Sequence, residues 1–162
     1  MTADAKWLHP HWPTELATPR LLLRPVEPVD SPLLRTLWTD PEVRRFLGGP
    51  VASDRLDRRL SDAASQRGHF TVVLTGAGQA VGRVTLDPDH RAADRAEVSY
   101  EFLPAYAGRG YAAEAVGAVV RWCTQAANTR SRRLLEKLGL LAAERFVEYG
   151  QDQVFYTTAP SR

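Results

Sequence analysis

The sequence predicts an α/β fold, a mixed, largely antiparallel sheet flanked by helices. Three observations predict it. Early segments space their apolar residues three and four apart behind Ser and Asp caps. From His69 the spacing changes to two, interrupted by a glycine-rich turn. Between Ala96 and Ala115, a strand pattern, a paired-glycine turn and a helix pattern follow one another directly. At 162 residues with 44% apolar and 25% charged residues, the chain suits one ordinary globular domain. We assign that domain to residues 19–160, preceded by a loosely ordered arm over 1–18.

Each element has a local reason. Leu21-Leu22-Leu23-Arg24 is a short apolar run ended by Pro25, an opening strand. Ser31 and Pro32 are a cap and first-turn pair for a helix carrying Leu33, Leu34, Leu37 and Trp38. Asp40-Pro41 repeats that signal, so a second helix is expected, with Val43, Phe46 and Leu47 as its stripe and Gly48-Gly49-Pro50 as its stop. Ser53 starts a third, strongly charged helix running to about Gln66. His69–Thr75 and Ala80–Leu86 form a hairpin across Gly76–Gln79, and 87–94 reads as a polar loop. Ala96–Leu103 alternates, with Val98, Tyr100 and Phe102 on one face and Glu97, Ser99 and Glu101 on the other. A helix begins at Gly110, and a second hairpin spans Ala142–Tyr149 and Gln153–Thr158.

Charge and cysteine content narrow the function. The net charge of +2 lacks the basic excess of a nucleic-acid binder. The single Cys123 excludes an internal disulfide framework and a thiolate zinc cluster. No apolar run approaches the roughly 20 residues of a membrane span. Met1–Pro13 lacks the apolar core of a secretory signal, so a cytoplasmic location is expected. His9 and His11 have no third ligand at useful spacing, and no metal site is assigned. The acidic loop residues Asp87, Asp89, His90 and Asp94 read as solvated, as do Arg130, Arg132 and Arg133.

The segment that carries chemistry is Ala107-Gly108-Arg109-Gly110-Tyr111-Ala112. Its glycines let the backbone turn sharply and approach a ligand closely. The first amides of a helix have no internal partner and sit at the positive end of its dipole. Such a turn holds a phosphate or pyrophosphate, or is a tight turn and nothing more. It lacks the lysine of a P-loop and the third glycine of a dinucleotide fingerprint.

This stretch resembles the coenzyme A motif of the GNAT superfamily of N-acetyltransferases, Gln/Arg-x-x-Gly-x-Gly/Ala. Gly110 and Ala112 match its last two positions, and Ala107 stands where Gln or Arg is usual. ATPRLLLRPV, LWTDPEVRRFLGG, GRGYAAEA and NTRSRRLLEKLGL look like the branch that acetylates protein N-termini, ribosomal proteins among them. The resemblance covers roughly residues 17 to 158. It implies that acetyl-CoA is the co-substrate, with its pantetheine on the backbone of Phe102 and Leu103. Its pyrophosphate would lie on the amides of Gly108, Arg109, Gly110, Tyr111 and Ala112. A primary amine, of a protein or peptide N-terminus or else of a small molecule, would attack the thioester directly.

Glu97 matches the base of several members, and its alternative is a solvent-facing strand glutamate. Ser131 matches a hydroxyl near the sulphur and Asn128 a coenzyme contact, while both residue types are also favoured helix caps. Tyr100 and Tyr156 are further hydroxyl candidates, although strand aromatics usually serve the core.

One feature departs from the family. Residues 111–127 separate Gly110 from Asn128. A three-turn helix takes about 11 of them, leaving roughly six for a connection and a strand of about five. The strand between the coenzyme helix and the next helix is therefore expected to be missing or shortened, with one helix of about 28 residues as a possible replacement. A homodimer that swaps a strand or helix would complete the sheet. Otherwise the acetyl site is incomplete and the chain is a degenerate, non-catalytic coenzyme A-binding or interaction module, or the sequence carries a deletion.

Overall fold

A computed structural model describes residues 12–89, 92–123, 140–148 and 151–158. The strands are β1 (Leu16–Ala17), β2 (Leu21–Pro25), β3 (His69–Leu74), β4 (Ala80–Asp89) and β5 (Ala92–Phe102), followed by β6 (Leu140–Glu148) and β7 (Gln151–Thr158). The helices are α1 (Ser31–Thr39), α2 (Ser53–Ala63) and α3 (Tyr111–Cys123). β1 to β5 form one antiparallel sheet in sequence order, and β6 pairs with β7 in a second antiparallel sheet. Among the described residues, no strand pairs with the outer edge of β5.

Alternation along the strands gives the sheet two unlike faces. One face presents Leu21, Leu23, Phe70, Val72, Val84 and Leu86, all buried against Ala115, Ala118 and Val119 of α3. Burying a Val or Leu side chain is worth about 1.5–3 kcal/mol, so this stripe anchors α3 on the sheet. Trp12 packs edge-on against Phe70 at 5.1 Å, and β1 pairs with β2, so part of segment 1–18 is built into the domain. The other face is polar. Its second apolar cluster lies in the helices, where Leu34, Leu37 and Trp38 of α1 meet Leu56 and Ala63 of α2.

Three expectations change. Residues 41–48 form successive turns, not a helix. Asp40 draws the amides of Glu42 (2.7 Å) and Val43 (3.2 Å) onto its carboxylate. Gly48 and Gly49 then take positive φ, at 84° and 80°. The polar loop expected over 87–94 is largely strand, since β4 runs to Asp89 and β5 starts at Ala92. Cross-strand pairing from Gly82–Phe102 to Pro88–Ala96 carries the ladder into this polar sequence. The third helix ends at Ala63, short of Gln66. The expected missing strand falls on 124–139, outside the described residues, as does any fused helix beyond Cys123, the last described residue of α3. Among the described residues, no helix is long and apolar enough to cross a membrane.

Candidate active site

The glycine turn joins β5 to α3. Gly82 sets its approach: a Cβ there would lie 2.5 Å from Phe102 Cδ1 and 2.7 Å from the Glu101 carbonyl oxygen. Only glycine lets the end of β5 press this close to β4. Leu103 donates its N–H to the Val81 carbonyl at 3.0 Å, closing the ladder. By the alternation of an antiparallel pair, the backbone polar groups of Phe102 then face the open edge.

Beyond Pro104–Tyr106, the chain turns through Gly108 and Gly110 at φ 73° and 78°, which side chains other than glycine's seldom adopt. Arg20 braces the turn from the adjoining end of β2. It donates Nη1–H to the Arg109 carbonyl (2.9 Å) and Nε–H to Glu114 Oε2 (2.7 Å), and stacks over Tyr111 at 4.7 Å. Glu114 also accepts from Thr18 Oγ1 at 2.5 Å and from the Arg20 amide at 3.0 Å. Burial pushes the Glu114 carboxyl up, but these donors outweigh it and hold it below its ordinary value.

The first turn of α3 closes with the Glu114 amide on the Gly110 carbonyl at 3.1 Å. The amides of Gly108, Arg109, Gly110, Tyr111 and Ala112 have no protein acceptor among the described residues. Ala107, by contrast, donates to Pro104. Phe102 and the row of 108–112 amides thus offer uncommitted backbone groups, whereas both backbone polar groups of Leu103 are taken, its N–H by Val81 and its carbonyl by Tyr106, so the pantetheine contact expected at Leu103 is not open. A pyrophosphate needs such a row.

The polar face of the sheet floors a second feature, a cleft of about 720 Å³ under α2 and the 44–51 turns. Cross-strand pairs set its floor: Arg83 opposite Glu101, Thr85 opposite Ser99, and Asp87 opposite Glu97. Glu101, only 8% exposed, accepts from Arg44 Nη1 (2.8 Å), Trp38 Nε1 (3.2 Å) and Arg83 Nη1 (3.4 Å). Arg83 also donates Nη2–H to His69 Nδ1 at 2.7 Å. Since guanidinium cannot accept, this bond fixes the ring proton on Nε2, which donates to Asp87 Oδ1 at 2.7 Å. Burial pushes the Arg83 guanidinium down, against the pull of Glu101. Burial pushes the Asp87 carboxyl up, but His69 and Thr85 bring it below its ordinary value.

Glu97 is exposed on β5, on the strand face that floors the cleft and opposite Asp87. Tyr100 is 55% exposed, so it is not a core aromatic. Asn128 and Ser131 lie outside the described residues, and of Tyr156 only the backbone is described, on β7. Sequence reasoning missed His69, Arg83 and the role of Glu101. Alternation placed Glu101 on the Glu97 face, but its partners come from the register and from Arg44, 57 residues earlier.

The family described as the acetyltransferase (GNAT) domain matches residues 20–141. The chain is 28% identical over 108 residues to the uncharacterized N-acetyltransferase p20 of Bacillus licheniformis, covering 62% of this chain and 61% of that protein. It thus spans about three-fifths of that relative's length. The crystal structure of the GNAT-family acetyltransferase from Bacillus anthracis shares the fold with a TM-score of 0.59 at 23% identity, covering 88% of this chain and 96% of that one. Spermidine N-acetyltransferase from Vibrio cholerae, solved in complex with CoA and spermine, gives a TM-score of 0.54 at 18% identity, covering 86% and 96%. At these identities the structural likeness is one of fold.

Proposed function

Because the chain belongs to the acetyltransferase (GNAT) domain family, we propose that it moves the acetyl group of acetyl-CoA onto a primary amine, that of a protein or peptide N-terminus. The observation that carries the reading is the row of uncommitted amides from Gly108 to Ala112, at the positive end of α3 and beside the open edge of β5. In this reading the diphosphate rests on that row and the pantetheine follows the open edge past Phe102. Ala107 removes the side-chain contact that Gln or Arg gives elsewhere in the family, so the backbone row carries more of the binding. Asn128 adds a coenzyme contact.

The amine nitrogen attacks the thioester carbonyl, a C–N bond forms and the C–S bond breaks. An ammonium has no lone pair, so a base must first take its proton. We assign that role to Glu97, acting directly or through one water, and the return of a proton to the thiolate to Ser131. Glu97 lies beside the cleft through which the amine would enter. The family phrases around ATPRLLLRPV and LWTDPEVRRFLGG support a peptide acceptor; a small amine, as named for the Vibrio cholerae neighbour, is the second candidate.

Release of free thiol from acetyl-CoA in the presence of short peptides tests the reading. Turnover is expected with peptides bearing a free N-terminus and not with the same peptides blocked. Glu97→Gln should lower kcat by about 10²-fold or more and flatten its pH profile. No thiol release with any peptide or amine would overturn the activity, and an unchanged pH profile would remove Glu97 from it.

A further inference from the structure

The cleft is lined by five arginines, Arg44, Arg55, Arg58, Arg59 and Arg83, against three carboxylates, Asp62, Asp87 and Glu101. The pairing is uneven. Glu101 alone answers both Arg44 and Arg83. Arg83 is 7% exposed, and its buried Nε has no hydrogen-bond partner among the described residues. Arg55 and Arg58 make no ion pair among the described residues, and Arg59 lies over the Trp38 ring at 4.4 Å without one. Arg55 and Arg59 stand one turn apart on α2, an arrangement that destabilises a helix unless an anion lies between them. Burial pushes the Arg59 guanidinium below its ordinary value; Glu101 and Asp87 pull it back up, and Arg44 acts with burial.

Of the three lining carboxylates, Asp62 lies on α2 beside the arginines, Glu101 is engaged by Arg44 and Arg83, and Asp87 lies on the sheet. Asp87 is held by His69, and Glu97 stands opposite it on β5. The α2 wall thus carries three arginines against one carboxylate, and the sheet end carries Asp87 with Glu97 next to the lining. An amine acceptor that carries its own anions matches this polarity, with its ammonium toward Asp87 and Glu97 and its anions toward α2. The spacing favours an extended chain. Arg55 and Arg59 are about 6 Å apart along the helix axis. Side chains at alternate positions of an extended peptide are about 7 Å apart.

We propose that this cleft selects acidic peptide N-termini, with carboxylates at alternate positions seated on Arg55, Arg58 and Arg59. The inference rests on the acetyl-transfer reading for the amine's orientation but not for the binding itself.

Equilibrium binding of three short peptides tests it. One carries acidic residues at its second and fourth positions, one the corresponding amides, and one lysines. The acidic peptide should bind about tenfold or more tightly than the amide peptide, with the lysine peptide weakest, and the difference should shrink with added salt. The double variant Arg55→Gln, Arg58→Gln, at two exposed positions, should erase the difference while leaving the melting temperature near that of the parent. Equal binding of acidic and amide peptides overturns the proposal. So does a preference that survives in the double variant, because the anions would then sit elsewhere. Free glutamate competing as well as the acidic peptide overturns the extended occupant.

Thiol release, measured separately, keeps the two readings distinct. Acid-selective binding without release defeats acetyl transfer alone. Equal release from all three peptides without selective binding defeats this inference alone.

Discussion

Asp30 shows how one side chain holds the polar face of the sheet to the helices. It is 3% exposed and accepts from Arg24 Nη2 (2.7 Å) and Nη1 (2.8 Å), from Thr71 Oγ1 (2.7 Å) and from the Glu27 amide (2.9 Å). Burial pushes its carboxyl up, but the Arg24 bonds, the amide and Thr71 outweigh it and bring it below the ordinary 3.8. A folded-state value below the unfolded one contributes stability above the unfolded value, and that stability is lost as pH falls through the folded value. Asp30→Asn removes the two short carboxylate bonds of largely buried Arg24, leaving it only Glu27 at 3.5 Å as a counter-ion, and should cost roughly 3 kcal/mol near neutral pH. Urea unfolding of both proteins from neutral pH down to pH 3 checks this. The gap between them should narrow at the acid end; a constant gap would mean that the charge on Asp30 contributes nothing. Single residues were legible where backbone demands speak directly: Gly108 and Gly110 announced a sharp turn, and both take positive φ there. The contacts of Asp30, Glu101 and His69 were not legible, because each depends on which residue a neighbouring strand places opposite.

At the scale of elements, the turn and helix that would hold the coenzyme are braced from β2. Arg20 ties the Arg109 carbonyl to Glu114 and covers Tyr111, so the entry to α3 is fixed from outside. Arg20 is half-exposed, and such a pair contributes no more than about 1 kcal/mol to stability. Its value is positional: an amide row must be held in place before the anion arrives. Arg20→Ala should lower the melting temperature only slightly while weakening acetyl-CoA binding about tenfold, by titration calorimetry. A matched loss of both would reduce Arg20 to a stabilising contact. Periodicity located β2, β3 and α1 within a residue or two, and the start of α3, since each has a strong apolar stripe. It failed at 41–48, where Asp40 and Arg44 satisfy backbone groups with side chains and break the helix into turns. It also failed at 87–89 and 92–95, where pairing with a neighbouring strand overrides a polar sequence.

Across the whole molecule, one sheet separates two tasks. Its apolar face carries α3 and, through it, the amide row. Its polar face, under α2, carries the arginine-lined cleft and its acidic end. β5 belongs to both, with Phe102 leading into the glycine turn and Glu97, Ser99 and Glu101 lying toward the cleft. In the proposed reaction, that sharing would bring the thioester and the amine together at β5.

Acetyl transfer by this chain requires that it bind the coenzyme. Titration calorimetry with acetyl-CoA, on the parent and on Gly110→Asp, tests it most directly. Asp tolerates positive φ better than most residues, and its Cβ would meet only Arg20 Nη2, at 3.4 Å, so the variant should fold. The parent should bind at micromolar concentrations, and the variant, with an anion placed in the diphosphate cradle, should lose at least about a hundredfold in affinity. No heat from the parent at millimolar acetyl-CoA, or equal binding by the variant, would contradict the account.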